Sequence, residues 1–433
     1  MKKKEGKQGK KKIWKVTLII SLIIAILIAG SVGGYLYYRY YQKEQERIAL
    51  LKKEKEEKKL LEAITASYGE YVTIVNDAKL YKLEDKKYIE VGQISKASYI
   101  VLEQKGEVSL TDTYFKLQNL DYYVSYKDTK PTEAQNINDD YKNYVPFDFD
   151  IVTKNPTNFY LDEKLVYTIN SSLQLPVIIN DDNTYYVEFD NRLYQVKKED
   201  VESTVEVPRN AEVATKIGVL NYHFFYDPNL GESCNETICL KTSKFEEQLQ
   251  YLKNNGFYTA TMKDMSLWME KKIRLPKKTT VLTVDDGAMG TGTENGNKLI
   301  PLLEKYDLHA TLFLITAWWP EANYISPNLE VQSHGHNIHD FTQAVRPALK
   351  MTKDQLLNDF KLSIDSLGGE NTAFCYPFYA YNNTVIEAVK ESGFKIAFVG
   401  GNVKSTQNNN PYLINRYVIL SNISLNTFIN MVN

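Results

Sequence analysis

The chain has 433 residues, which is long for one domain, and its composition is globular, with 43% hydrophobic and 24% charged residues. The formal net charge is only −2, but the first 15 residues hold eight lysines and one glutamate, so the remainder of the chain is acidic. An acidic body without basic stripes argues against nucleic acid as a partner.

The first predicted element is a transmembrane helix at residues 16–38. This stretch, VTLIISLIIAILIAGSVGGYLYY, has no charged residue and is long enough to cross a hydrocarbon layer of about 30 Å. A cleaved signal peptide would have a shorter apolar region and a small-residue cleavage site. The basic tail, residues 1–15, predicts a cytoplasmic N-terminus and therefore a single-pass protein of the cell membrane with everything that follows outside.

A helical stalk is predicted at residues 39–66, which are rich in Glu, Lys and Leu and lack Gly and Pro. Residues 67–208 then predict a β-rich region of short strands. Two similar stretches, TYFKLQNLDYYVSYKDT and TYYVEFDNRLYQVKKED, suggest two small β-barrel repeats. The first repeat contains YVTIVNDAKLYKLEDKKYIEVGQI, which resembles bacterial SH3-like wall-binding modules. Its tyrosines either pack within the sheet or stack on sugar rings.

Residues 214–433 alternate apolar strand-like runs with amphipathic helices. This alternation predicts an α/β fold whose parallel sheet closes, or nearly closes, into an irregular (β/α) barrel. One helix is predicted to begin with a capping box of Ser243 and Glu246, and another with Thr352 and Gln355. In such barrels the chemistry lies at the carboxyl ends of the strands.

Acidic and imidazole side chains follow two of the predicted strands. Asp285 and Asp286 end TTVLTVDD, and SHGHNIHD contains His334, His336 and His339. An Asp-Asp-Gly sequence is also a common turn, but a carboxylate with two imidazoles forms a three-ligand site of the kind that holds a hydrolytic divalent metal. Such an ion polarises a carbonyl and lowers the pKa of its bound water to about 7. This pattern alone leaves open which aspartate and which histidines would bind.

The segments TVDDG, SHGHNIHD and CYPFYAYN, in this order, resemble the first three motifs of the polysaccharide deacetylases, carbohydrate esterase family 4 with its NodB homology domain. The resemblance implies that Asp285 is the general base and Asp286 a metal ligand. The usual ligand histidines are four residues apart, and that spacing from His334 falls on Ile338. A spacing of five, as in the poly-N-acetylglucosamine deacetylase branch, implies His334 and His339 as ligands. The implied ion is Zn²⁺, with Co²⁺ or Ni²⁺ as alternatives.

The third motif implies that Phe378 and Tyr379 lie in the segment that binds the oxyanion and the substrate. Two positions depart from the family pattern, because Cys375 replaces an arginine and Tyr379 replaces a glycine. Arg416 is expected to supply the missing guanidinium. His223 is expected to be the general acid, since the permuted branch places the equivalent strand first.

The tryptophans and cysteines of residues 214–433 carry further predictions. Trp318 and Trp319 are expected to form a wall that stacks on sugars. Cys234 and Cys239 favour a disulfide over a zinc-binding pair, and Cys375 is expected to be a buried free thiol.

These features predict a membrane-anchored extracellular enzyme that removes N-acetyl groups from amino sugars of peptidoglycan, poly-N-acetylglucosamine or another wall polysaccharide. The departures at Cys375 and Tyr379 support a rival interpretation, a catalytically inactive wall-binding or scaffolding protein that uses the β-rich repeats. A metal-dependent sugar O-deacetylase is a third alternative. The sequence does not indicate an oligomeric state.

Overall fold

The computed structural model describes residues 5–108, 113–135, 140–293, 296–339 and 346–433. Asp340, the last residue of SHGHNIHD, lies outside these ranges. The chain divides into two compact units, Met1–Gln135 and Asn136–Asn433. The first unit ends inside the β-rich region that the sequence suggested for residues 67–208.

The first unit begins with one continuous helix, α1 (Glu5–Ser67), of 63 residues. The predicted transmembrane segment and the predicted stalk are both parts of this helix. Its apolar part reaches a mean hydropathy of 2.6 over an 18-residue window, none of which is buried. By length and composition α1 is compatible with a single-pass anchor or a signal sequence.

Seven strands complete the first unit. They are β1 (Tyr71–Ile74), β2 (Ala78–Glu84), β3 (Lys87–Ile94), β4 (Tyr99–Val108), β5 (Thr113–Leu117), β6 (Tyr123–Ser125) and β7 (Thr129–Pro131). They pair in the order β3-β2-β6-β5-β4-β1-β7.

The second unit begins with eight strands. They are β8 (Phe149–Thr153), β9 (Thr157–Leu161), β10 (Lys164–Ile169), β11 (Gln174–Pro176), β12 (Ile179–Asn180), β13 (Thr184–Phe189), β14 (Arg192–Lys197) and β15 (Val201–Glu206). Within this unit they pair as β12-β13-β14-β9-β10 and β11-β8-β15. The pairing repeats that of the first unit, with β11 and β12 in the place of β4. The two similar sequence stretches form equivalent hairpins, β5–β6 and β13–β14. The SH3-like assignment of these strands stays a prediction.

The rest of the second unit alternates strands and helices. Its elements are β16 (Gly218–Tyr222), β17 (Phe224–Tyr226), β18 (Cys239–Lys241), α2 (Thr242–Asn254), β19 (Tyr258–Thr259), α3 (Met262–Met269), β20 (Thr279–Asp286), α4 (Leu299–Tyr306), β21 (Ala310–Leu314), β22 (Leu329–Ser333), α5 (Lys353–Ser366), β23 (Ala373–Cys375), α6 (Asn383–Glu391), β24 (Ile396–Phe398), β25 (Tyr417–Val418) and α7 (Leu425–Val432).

The main sheet of this part has the order β24-β23-β22-β21-β20-β16-β25, with β19 paired to β20, and all its strands are parallel. Every residue of β20, an interior strand of this sheet, is buried, as expected for a parallel strand covered on both faces. The sheet is a half-barrel. Phe398 of β24, the strand at one edge, forms an isolated bridge with Ile414, which lies shortly before β25. The predicted α/β architecture is therefore confirmed in this coarser, partly closed form.

The two predicted helix starts have different outcomes. The capping box of Thr352 and Gln355 is confirmed: the Gln355 N–H donates to Thr352 Oγ1 (3.3 Å), and the Thr352 N–H donates to Gln355 Oε1 (2.8 Å). The predicted box of Ser243 and Glu246 is wrong. Because β18 leads directly into α2, the N-cap position falls on Lys241, whose side chain makes no capping hydrogen bond.

Candidate active site

The carboxyl ends of the parallel strands bring the predicted site residues together. Asp285 and Asp286 end β20, His334 directly follows β22, and Cys375 ends β23. These ends lie side by side because neighbouring strands run in the same direction. Residues far apart in the chain thus form one cluster.

Asp286, His334 and His339 form a buried group with the geometry of a metal site. Asp286 Oδ1 lies 3.4 Å from Nε2 of each histidine, and the three ligand atoms lie within 4.8 Å of one another. Asp286 Oδ1 is buried and has no hydrogen-bond partner among the described residues, which fits an oxygen that would bind a cation. His334 Nδ1 donates to the carbonyl oxygen of Cys375 (2.9 Å), so Nε2 is the ring nitrogen that faces Asp286.

The backbone at the end of β20 turns sharply. Both Asp286 (φ 79°) and Gly287 (φ 86°) have positive φ angles. At the positive φ of Gly287, a Cβ would be strained and would lie 2.4 Å from Leu314 Cδ1 and 2.9 Å from Tyr324 Oη, so a larger residue would force these side chains to shift. This turn, with the alternation of side chains along a strand, directs the two carboxylates to different partners.

Asp285 forms a buried bidentate ion pair with Arg416. Arg416 Nη1 and Nη2 donate to its two carboxylate oxygens at 2.7 and 2.8 Å, and Asn221 Nδ2 adds a bond of 3.2 Å. The Cys375 thiol lies 3.5 Å from Asp285 Oδ2. Burial alone would raise the pKa of Asp285, but the charges of Arg416 and His334 hold it well below its usual range.

Arg416 is fully buried and held on several sides. Its guanidinium lies between the rings of Phe313 (5.7 Å) and Tyr379 (5.6 Å) and also donates to Thr283 Oγ1 (3.0 Å). The predicted strand around it is shorter than expected, since Arg416 directly precedes the two-residue β25. The side chain nevertheless reaches the acid pair, as the sequence analysis expected of a guanidinium from another strand.

His223 lies beside the ion pair, just past the end of β16. Its Nε2 is 4.0 Å from Asp285 Oδ2, and its Nδ1 is buried without a hydrogen-bond partner among the described residues. Burial lowers the pKa of His223, while the Asp285 carboxylate opposes that shift.

Aromatic rings enclose His339. Phe378 stacks on its imidazole with ring centroids 4.3 Å apart, and Trp318 contacts it edge-on at 5.5 Å. Phe378 adopts a left-handed backbone conformation (φ 55°), which brings its ring to the histidine.

Tyr379 and Trp319, two of the predicted substrate residues, make contacts within the protein, and their roles toward a substrate stay predictions. The Tyr379 N–H donates to the Tyr376 carbonyl (3.0 Å), so Tyr379 enters the site through its phenol, which accepts from Asn221 Nδ2 (2.7 Å). Trp319 is half-buried, packs on the core and adjoins Gly287, unlike an open sugar-stacking surface.

Several polar residues around the site were missed by the sequence analysis. Asn221 contacts both Asp285 and Tyr379; it lies two residues before His223, and strand alternation could have indicated it. Asp359, from α5, accepts backbone N–H groups of the histidine loop and carried no signal in the sequence pattern.

The remaining cysteines and histidines of the chain can also be placed. Cys234 and Cys239 are joined by a disulfide, and Cys375 is confirmed as a buried free thiol. His336 lies outside the metal group, with Nδ1 3.0 Å from Thr316 Oγ1. His309 lies 3.2 Å from Glu330, at the amino end of β21 and away from the cluster.

Residues 272–397 match the sequence model of the polysaccharide deacetylase family. This part of the chain carries the sequence pattern of a polysaccharide deacetylase domain. The match includes the acid pair, the histidine loop and the segment from Cys375 to Tyr379, whereas His223 and Arg416 lie outside it.

Known proteins similar to the deacetylase domain come from several bacteria. The poly-β-1,6-N-acetyl-D-glucosamine N-deacetylase of Staphylococcus aureus is 25% identical over 224 residues, which cover 47% of this chain and 75% of that protein. Among solved structures, the Streptococcus pyogenes deacetylase PplD in complex with acetate is 23% identical, with a TM-score of 0.43 over 51% of this chain and 99% of that chain. A polysaccharide deacetylase from Bacillus cereus is 15% identical, with a TM-score of 0.40 over 79% of this chain and all of that one.

Proposed function

We propose that this protein is a metal-dependent N-deacetylase that acts on N-acetylated amino sugars of an extracellular polysaccharide. The observation that carries this proposal is the buried Asp286, His334 and His339 group beside the Asp285–Arg416 ion pair. The Staphylococcus aureus relative is named for poly-β-1,6-N-acetyl-D-glucosamine, which supports an amino-sugar polymer as the substrate class. A single-pass anchor formed by α1, with the catalytic domain outside the cell, completes the proposal.

The donor set suits a catalytic divalent ion. One carboxylate and two imidazoles leave coordination positions open, and borderline nitrogen ligands favour Zn²⁺, with Co²⁺ or Ni²⁺ as alternatives. The partnerless buried oxygen of Asp286 supports a cation at this position. When bound, the ion would polarise the acetamide carbonyl and lower the pKa of water.

The residues of the chain divide the proton transfers between them. Asp285 would accept the proton of the attacking water, and Arg416 holds both of its oxygens in place and keeps it ionised. His223 would donate a proton to the departing nitrogen. Burial lowers the pKa of His223, and the Asp285 carboxylate, 4.0 Å from its Nε2, opposes that shift and favours the protonated imidazole that a general acid requires. The products are acetate and a free amine.

The inactive alternative rested on the departures at Cys375 and Tyr379. In the structure the Cys375 thiol lies 2.8 Å from Arg416 Nη2, and the ring of Tyr379 covers the same guanidinium. The two unusual residues thus surround an arginine that contacts the base, which supports an active site with its guanidinium supplied from a different strand.

The test is acetate release by purified full-length protein in detergent with added Zn²⁺ or Co²⁺. The substrates are N-acetylglucosamine oligomers, poly-N-acetylglucosamine and peptidoglycan. We expect acetate and new free amines from at least one of them, and a loss of about 10²–10⁴-fold in Asp285→Asn, the range for a general base. His339→Ala should also be inactive, whereas the matched control His336→Ala should stay within a few-fold of wild type.

Three results would contradict parts of this proposal. If no substrate releases acetate with any added metal, the proposed enzymatic function is wrong. Acetate released from O-acetylated sugars without new amines would establish the ester alternative instead. Wild-type activity in His339→Ala would refute the ligand assignment.

A further inference from the structure

The five-residue spacing between His334 and His339 poses a structural problem. Residues four apart share a face of a helix, but residues 334–339 form a non-helical loop, so the backbone geometry alone does not align the two imidazoles. Ile338, at the fourth position, is buried in a cluster with Leu356 and Phe360 of α5. The loop therefore bulges toward α5 before it returns His339 to the site.

Asp359 of α5 holds the middle of this bulge. Its Oδ1 accepts the His336 N–H at 2.7 Å, and its Oδ2 accepts the Asn337 N–H at 2.8 Å. The side chain is buried, so both bonds are shielded from water. One carboxylate thus binds two consecutive backbone donors located between the two histidines.

Ser363, one turn further along α5, holds the start of the loop. Its hydroxyl lies 2.7 Å from the hydroxyl of Ser333, which in turn accepts the Gly335 N–H at 3.1 Å. Gly335 has a φ of +83°, and a Cβ there would lie 3.1 Å from Asp359 Oδ1. Residues four apart lie on one face of a helix, so a single face of α5 binds both parts of the loop.

The loop is also held from the opposite side. The Ala317 N–H donates to the His336 carbonyl (3.0 Å), and Thr316 Oγ1 contacts His336 Nδ1 (3.0 Å). Loss of the Asp359 bonds should therefore shift and loosen the loop without unfolding it.

We infer that Asp359 is a positioning residue that sets the location of His339 relative to Asp286 and His334, and thereby the metal affinity of the site. This inference rests on the proposed metal-dependent function. The hydrogen bonds of Asp359 within the described part of the loop go to the backbone of residues 336 and 337, so it would act on the ligands through that backbone.

The decisive variant is Asp359→Asn in the full-length protein, freed of metal with EDTA and titrated with Co²⁺. Asparagine preserves the shape but has one acceptor oxygen, so one backbone N–H loses its partner and faces an amide NH₂. We expect Co²⁺ to bind about 10–100-fold more weakly, the usual cost of losing an outer support of a metal ligand. The visible spectrum of bound Co²⁺ should change, and amide hydrogen exchange at His336 and Asn337 should accelerate.

Asp365→Asn is the matched control, because Asp365 lies on the same helix, is exposed, and its carboxylate pairs with Lys361 at the surface. It should bind Co²⁺ like wild type. If Asp359→Asn fails to fold, Ser363→Ala tests the same helix face and should weaken Co²⁺ binding by a few-fold.

The outcomes separate this inference from the function beneath it. Wild-type Co²⁺ affinity, spectrum and amide exchange in Asp359→Asn would overturn the inference and leave the proposed function intact. If Asp359→Asn does not fold and Ser363→Ala is used instead, an unchanged Co²⁺ affinity in Ser363→Ala would overturn the inference. Failure of the wild-type protein itself to bind Co²⁺ or Zn²⁺ would overturn the proposed metal chemistry, and the positioning role with it.

Discussion

Replacing Arg416 with methionine should destabilise the second unit by about 3–5 kcal/mol, the typical cost of breaking a buried ion pair by removing one partner. The guanidinium is fully buried and Asp285 is 2% exposed, so solvent compensates little for the lost bonds. Arg416→Met leaves Asp285 as an uncompensated buried carboxylate. Methionine fills part of the vacated volume, so most of the cost should come from the unpaired charge.

The distances support this magnitude. The two bonds between Arg416 and Asp285, at 2.7 and 2.8 Å, are charge-assisted, and each contributes about 1.5–3 kcal/mol. For a domain of this size the melting temperature falls by roughly 2–4 °C per kcal/mol, so Arg416→Met should melt roughly 10 °C below wild type. Acetate release should be lost, because Asp285 is no longer oriented or held ionised.

The assay is urea and thermal unfolding of the EDTA-treated protein, with Asp285→Asn and the double variant as controls. The double variant should recover most of the lost stability, because it removes the buried charge, but it should remain inactive. If Arg416→Met lowers the free energy of unfolding by less than about 1 kcal/mol, the ion pair contributes as little to stability as an exposed pair does, and the reasoning is refuted. A double variant as unstable as Arg416→Met would mean that packing, rather than charge, causes the loss.

Three further changes test other parts of the molecule. Burial raises the pKa of Asp190 to about 7 against the opposing hydrogen bond from Tyr167, above an unfolded value of about 4, so folding stability should fall as pH rises from 4 to 7. Asp190→Asn should remove that loss and gain up to about 4 kcal/mol at pH 7.5 in urea melts, with little change at pH 4; identical pH profiles would refute the burial argument. Gly287→Ala should lower the melting temperature and abolish activity, because its Cβ meets Leu314 at 2.4 Å, and a variant with wild-type activity would show that the turn can relax. Phe378→Leu should weaken Zn²⁺ binding several-fold in a chelator competition, since it removes the ring that stacks on His339 at 4.3 Å; unchanged affinity would show that the stack does not support the ligand.

The ligand candidates could be found from the sequence because their signals are local. Asp285 and Asp286 end one buried strand and the histidine segment follows another, so the rule that chemistry lies at strand carboxyl ends placed both at one edge of the sheet. The choice of His334 and His339 within that segment came from the resemblance to the deacetylase motifs. The ion pair is different. Arg416 lies 131 residues from Asp285, and only the closure of the sheet around β16 and β25 determines that they meet.

The fold shows the same division between local and long-range information. The Thr352–Gln355 capping box could be predicted because all of its atoms lie within one helical turn. The start of α2 could not, because β18 pairs with β17 and carries its last residue into the cap position. The support of the histidine loop by Asp359 also escaped prediction, because an acidic residue within an amphipathic helix reads as part of its solvated face.

The most direct test of the proposed function is acetate release during metal titration. Full-length protein is stripped with EDTA, supplied with poly-N-acetylglucosamine or N-acetylglucosamine oligomers, and titrated with Zn²⁺ while acetate and bound metal are measured together. We predict no acetate from the stripped protein and a rise that saturates at one ion per chain, absent in His339→Ala. Acetate release that persists without metal, or one bound ion per chain in His339→Ala with full activity, would contradict it.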